Sequence, residues 1–326
     1  MSNLMSFEFC RVPLNKIDRE FCLTDFSLGS APTSLEISIR EIGMTHPLFL
    51  ARNNESYRIV SGHRRFRIAA HLGFVDIPAQ ILATADEVIM LETNLIENSA
   101  HRQYSDVEKG LILIKLHQAG VSEDKMVNRF MPLLGLERSK KLYTDFFQVG
   151  ALTPGLRMLL HEMNVPLRVF SVCFGWDAQS LGAVETLFGM LRPGVNKWRE
   201  LLELVDETAR RENVKVGELL SRPEIQTILE EEISPGHEKY DRVFQTVYQW
   251  RYPTLSDLKR RVLLGLDRLK LDDKIKVRTS ENFENGEIKI EFKFTTQEEL
   301  KRYVEQLSRA SGSEQMAELI KVFETR

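Results

Sequence analysis

Cysteine is scarce in this chain of 326 residues, which holds only Cys10, Cys22 and Cys173. They are odd in number, far apart and form no Cys-x-x-Cys pair, which argues against a disulfide framework or a zinc site and fits reduced thiols. Long apolar runs are lacking as well. No stretch approaches the roughly 20 apolar residues that a helix needs to cross a bilayer, so no membrane is expected. The opening residues MSNLMSFE show no basic segment followed by an apolar one; a secretory leader is therefore not expected, and the cytoplasm is the expected compartment. Charge of one sign is not in excess either, with 44 Lys and Arg against 47 Asp and Glu. The net charge of −3 neither suggests nor excludes nucleic acid, so any surface for it must be local. What is present, 43% hydrophobic and 28% charged residues over a length sufficient for two or three domains, describes a globular protein. No internal repeat is visible.

The most informative run is RIVSGHRRFRIAA, residues 58–70. It reads as a short strand over Tyr57–Val60, a tight turn at Ser61-Gly62 and a helix that buries Phe66, Ile68, Ala69 and Leu72. A helix N-terminus presents unpaired N–H groups and the positive end of the macrodipole, which suits an anion. Gly62 lets backbone approach closely because no Cβ intervenes. Arg64 and Arg65 in the first turn oppose the dipole and are easier to understand with a phosphate between them. A surface helix with solvated arginines is the alternative.

Around this turn, residues 1–104 alternate strand-like and helical signals. Ser34–Ile42 reads as a helix with Gly43 as its C-cap. Pro47–Ala51, Tyr57–Val60 and Ile77–Leu82 read as strands, and Asp86–Ile96 has helical periodicity. From Tyr104 the pattern becomes helical. Ser105 with Glu108 forms a capping box, and the helix it opens ends near Gly120. Ser122–Phe130 and Arg138–Val149, joined by a loop containing Gly135, read as a helix-turn-helix, with two packed core helices as the alternative. In the first case Arg138, Ser139, Lys140 and Lys141 face bases and phosphates. Helices continue over Leu156–Met163, Pro166–Phe174, Trp198–Arg210, Val216–Leu220 and Ile225–Ile233, and Leu255–Leu269 is basic and amphipathic. Lys276–Thr279 and Glu287–Phe294 then alternate in period two about an Asn285-Gly286 turn, followed by a helix capped by Thr296 and Glu299. This last unit is too small to bury much apolar area and needs a partner, either a second copy or the helical region.

A second polar group, Glu97 and Asn98 followed by His101 and Arg102, closes the helix after the third strand. Its oxygens suit Mg²⁺ beside a phosphate, and a polar linker is the alternative. The expected fold class is α+β. The expected domains are an α/β nucleotide-binding domain at 1–104, a helical DNA-binding domain at 105–235, a helical linker at 236–273 and a ββα dimerisation unit at 274–326.

These features in this order resemble the ParB/RepB/Spo0J group of partition proteins, including its KorB-like members. SLEISIREIGMTHPL (34–48) is similar to that family's first nucleotide box, IVSGHRRFRIA (59–69) to its G-E-R-R-x-x-A box and LIEN (95–98) to its E-N-x-Q-R box. YSDVE (104–108) corresponds to the segment after it, and LTPGL (152–156), IKIEF (288–292) and QEEL (297–300) follow in family order. The resemblance implies a ParB/sulfiredoxin-like N-terminal domain and a dimeric DNA clamp gated by CTP, or another nucleoside triphosphate, with Mg²⁺. It implies double-stranded DNA and a partition ATPase as partners, a homodimer, and a nucleoid-associated place in the cytoplasm. In these terms Thr45, His46, Gly62, His63, Arg64 and Arg65 bind the nucleotide, His63 as an added donor, and Glu97 and Asn98 position the metal. A slow CTPase, a nuclease or phosphotransferase on the same fold, and a transcriptional regulator without nucleotide chemistry stay open.

The departures are specific. His63 stands in place of the family's Glu, Ala100 and His101 in place of Gln and Arg, and Arg102 comes one place late. The usual Q-P-R is absent near Phe26. Gly62 occupies the place where sulfiredoxins carry cysteine, so sulfiredoxin activity is not expected. Met131–Leu134, with Pro132, add about four residues before Gly135, which predicts a longer turn between the paired helices.

Overall fold

The computed structural model describes residues 7–84, 86–99, 101–279 and 288–324. They pack as two compact units. One contains the described residues up to Asp206 with Val214–Lys239, and the other Glu207–Asn213 with the described residues from Tyr240 onward. The chain is α+β.

The first unit opens with a four-stranded mixed sheet in the order β1-β4-β2-β3. β1 (Phe7–Pro13) lies antiparallel to β4 (Asp76–Leu82), which runs parallel to β2 (Leu48–Asn53), itself in a hairpin with β3 (Ser56–Ser61). Alternate residues of these strands, among them Val12, Leu48, Leu50, Ile59, Ile77, Ala79 and Ile81, form a core with Phe66 and Ala69 of helix α2 (His63–His71). α1 (Thr33–Ile42) ends at the predicted C-cap, Gly43, whose φ of 75° with ψ of −169° is a conformation that favours glycine. α3 (Glu87–Ser99) follows β4 and packs on β3.

α4 (Asp106–Gln118) starts at the predicted capping box: Ser105 accepts from the Glu108 amide and the Glu108 carboxylate accepts from the Ser105 amide. Gly110 lets α4 approach the helix Lys140–Phe147, because a Cβ there would sit 2.7 Å from the Phe146 carbonyl oxygen. The paired helices are present, with a correction. Residues 123–133 form one continuous helix whose middle, Met126–Phe130, is π-helical, and Met131–Leu133 extend it. The extra residues therefore lengthen the first helix, and residues 134–139 make the turn. A helix absent from the sequence reading, Ala178–Leu191, is capped by Asp177 and buries Leu181, Val184, Leu187 and Phe188; Phe188 stacks on Trp198 at 3.7 Å.

In the second unit, Pro253–Arg268 and Glu314–Glu324 pack through Val262 and Leu319. β5 (Ile275–Thr279) pairs antiparallel with β6 (Ile288–Phe292), and the expected Asn285-Gly286 turn lies outside the described residues. Thr296 caps Gln297–Ser311 as predicted, and that helix buries Tyr303 against Phe292.

Candidate functional site

The chain leaves β3 at Ser61 and enters α2 at His63 through a single residue, Gly62, with φ of 107° and ψ of 21°. Only glycine holds that conformation without strain, and a Cβ would come 2.2 Å from Leu48 Cδ2 in the core. Packing therefore requires this glycine independently of any ligand. The turn opens onto a cavity of about 210 Å³. Ser61–Arg65 line one side of it, Thr24–Ser27 another, and Asn94, Asn98 and Arg102 complete the wall.

His63 is held by Thr24. The Thr24 hydroxyl donates to the Ile59 carbonyl oxygen at 2.5 Å, so toward His63 Nε2, 3.0 Å away, it acts as acceptor. That places the imidazole proton on Nε2 and leaves Nδ1 as an acceptor. Burial pulls the His63 pKa down to about 4, against the attraction of Asp25 and with help from Arg67 and Lys115. A neutral ring that donates its Nε2 hydrogen bond to Thr24 adds no cation to the site. In this respect the geometry differs from the donor role read from the sequence.

The cations are arginines. Arg64 Nη2 donates to the Leu28 carbonyl oxygen at 2.9 Å, while its Nε is buried without a partner. Burial lowers the Arg64 pKa, as does the neighbouring positive charge of Arg102. Arg102 donates to Ser27 Oγ at 2.7 Å, pairs with Glu108 and lies 4.8 Å from the centroid of the Tyr104 ring. Arg65 is pinned by Nη1 to the His46 and Pro47 carbonyl oxygens at 2.9 and 2.8 Å. Like charges gathered at a helix N-terminus, one with an orphaned N–H, fit an anion.

Asn94, 4% exposed, fastens the far wall by donating to the Thr24 and Val60 carbonyl oxygens. Asn98 Nδ2 donates to Asn94 Oδ1 at 3.0 Å, which leaves Asn98 Oδ1 for a ligand. Glu97 Oε2 accepts from Ser61 Oγ at 2.7 Å. Among the described residues no group of three or more His, Cys, Asp or Glu forms a metal site. A divalent ion here would depend on ligand oxygens together with Glu97 and Asn98.

Of the residues read from sequence, Gly62, His63, Arg64, Arg65 and Asn98 meet at the cavity. Glu97 stands behind Ser61. Thr45 and His46 are exposed and not among the lining residues, and His46 reaches the site only through its carbonyl. Sequence reasoning missed Thr24, Asp25, Phe26, Ser27 and Asn94. Away from the cavity, Ser139 caps the helix Lys140–Phe147, and Arg138, Lys140 and Lys141 are exposed at its start, Lys140 being 3.2 Å from Glu123.

The ParB N-terminal domain family matches residues 12–99. A probable plasmid-partitioning protein ParB of Thermus thermophilus is 34% identical over 110 residues, 33% of this chain and 35% of the relative. The chromosome-partitioning protein Spo0J of the same organism is 32% identical over 92 residues, 28% and 34% of the two chains. The chain thus spans about a third of the length of these relatives. Among solved structures, the C-terminally truncated chromosome-partitioning protein ParB of Caulobacter crescentus complexed to the centromeric parS site is 17% identical. It gives a TM-score of 0.34 over 60% of this chain and 98% of that one. The same protein complexed with CTP-gamma-S is 19% identical, with a TM-score of 0.23 over 60% and 99%. Residues 12–99 match the ParB N-terminal domain family, and over about a third of its length the chain is similar to the ParB and Spo0J partition proteins.

Proposed function

We propose that the chain is a ParB-like protein that binds a specific DNA site and is gated by a nucleoside triphosphate, CTP by its likeness to the family, in plasmid or chromosome partition. The observation that carries this reading is the pair Arg64 and Arg102 in one cavity at the start of α2, with Arg64 Nε buried and unpartnered. Phosphates take the guanidinium groups and the N-terminal amides, and a neutral His63 accepts a hydrogen bond at Nδ1. Glu97 and Asn98 are the residues that would hold Mg²⁺ against the phosphates. Arg138, Ser139, Lys140 and Lys141 meet the DNA, with two copies on a nearly palindromic site. The second unit supplies the dimer contact, and a partition ATPase is the expected partner.

Titration of CTP, ATP and ADP with Mg²⁺, with and without genomic DNA fragments, tests this. Expected is CTP binding strengthened by the specific fragment, slow turnover and loss of binding in Arg64→Ala. DNA binding indifferent to every nucleotide contradicts the gate, and rapid strand cleavage contradicts the clamp in favour of an enzyme.

A further inference from the structure

The cavity wall at residues 24–28 is held from two sides. From α2, Arg67 pairs with Asp25 at 2.6 Å and Arg64 donates to the Leu28 carbonyl oxygen. From α4, Lys115 Nζ donates to the Asp25 carbonyl oxygen at 2.6 Å, and Glu108 Oε1 accepts from the Leu28 amide at 3.3 Å. Arg102 spans the gap, one nitrogen on Ser27 and the other on Glu108. The Glu108 side chain is 2% exposed, so its charge is costly without a counter-ion. Its other neighbours are the Ser105 amide at 3.1 Å and His161 Nδ1, 3.9 Å from Oε2. Arg102 is therefore claimed twice, by a buried carboxylate on α4 and by whatever anion enters beside Arg64.

We infer that Glu108 is a positioning residue that competes with the bound phosphate for Arg102, and so sets how tightly the cavity holds anions. The inference rests on the nucleotide reading above. An incoming phosphate draws the guanidinium from a carboxylate anchored at the N-terminal turn of α4, so part of its attraction replaces an existing ion pair. Removing that competitor strengthens the site. Loss of a purely structural residue would weaken it.

Glu108→Gln is the informative variant, because glutamine serves a capping box as glutamate does while removing the charge. Calorimetric titration with CTP and, separately, inorganic tripolyphosphate should show about fivefold tighter binding to Glu108→Gln than to the wild type, the upper end of what a modest ion pair contributes. In an Arg102→Ala background the same substitution should give no gain. Hydrogen exchange on the wild type needs no variant: saturating tripolyphosphate should speed exchange in residues 103–109 while slowing it at 61–66. Unchanged or weaker binding by a folded Glu108→Gln, a gain that persists without Arg102, or slower exchange at 103–109 overturns the inference. If neither probe binds either protein, the nucleotide reading fails and the competition with it.

Discussion

A histidine between a glycine and two arginines invites a charged reading, yet burial, aided by Arg67 and Lys115, keeps His63 neutral. Its folded value of about 4 lies below the ordinary 6.5, so between these pH values the unfolded chain holds the extra proton. The stability that neutral His63 contributes is complete above pH 6.5 and is lost as pH falls toward 4, by on the order of 1 kcal/mol per unit. Burial pushes the Asp25 carboxyl up, but His63 when protonated and Arg67 outweigh it and leave the pKa below 3.8, so its loss comes at lower pH. Urea unfolding at pH 7 and pH 4.5 should show a larger loss for the wild type than for His63→Gln; equal losses contradict this. At Gly62, alanine meets both the left-handed backbone and Leu48, and a destabilisation of about 2 kcal/mol or more is expected in the same assay. An unchanged midpoint would contradict it. The SGHRR run was readable because its signals are local. Thr24–Ser27 and Asn94 were not, because an irregular loop and a helical asparagine acquire their roles only from partners 34 to 90 residues away.

At the scale of elements, local rules predicted the Gly43 C-cap and the Ser105 and Thr296 caps well, since each depends on neighbours in sequence. Two failures have physical reasons. Residues 131–134 looked like a longer turn because Pro132 normally ends a helix, but the Met131 amide donates five residues back to the Met126 carbonyl oxygen, and this π-helical register carries the helix through Pro132, which has no N–H to donate. Ala178–Leu191 went unread because Gly182 and Gly189 weaken helical propensity, while burial of one apolar face stabilises it. The exposed start of Lys140–Phe147 gives a prediction at this scale. If Arg138, Lys140 and Lys141 each neutralise a DNA phosphate, replacing any one with alanine should reduce the magnitude of the log–log salt slope by about 0.9. Fluorescence anisotropy across a salt series measures it, and an unchanged slope for all three removes this helix from the interface.

At the scale of the whole molecule, the chain divides into two units. In the second, the two-stranded sheet and its capped helix leave Ile290, Phe294 and Val304 exposed. Apolar side chains on so small a unit suit a second copy. Ile290→Lys should shift the chain from dimer to monomer in analytical ultracentrifugation while leaving CTP binding by the first unit intact; a mass unaffected by the substitution places the dimer contact elsewhere. The sequence shows that this unit needs a partner, but pattern alone does not identify the partner, since self-association and packing within the chain bury the same residues.

The central claim is that a triphosphate lies at the start of α2, and a crystal structure of the protein grown with CTP and Mg²⁺ tests it most directly. The account predicts phosphate density within hydrogen-bond distance of the guanidinium groups of Arg64 and Arg102, with Arg102 turned away from Glu108. A nucleotide bound elsewhere, or a cavity filled by the protein's own side chains at saturating CTP, would contradict it.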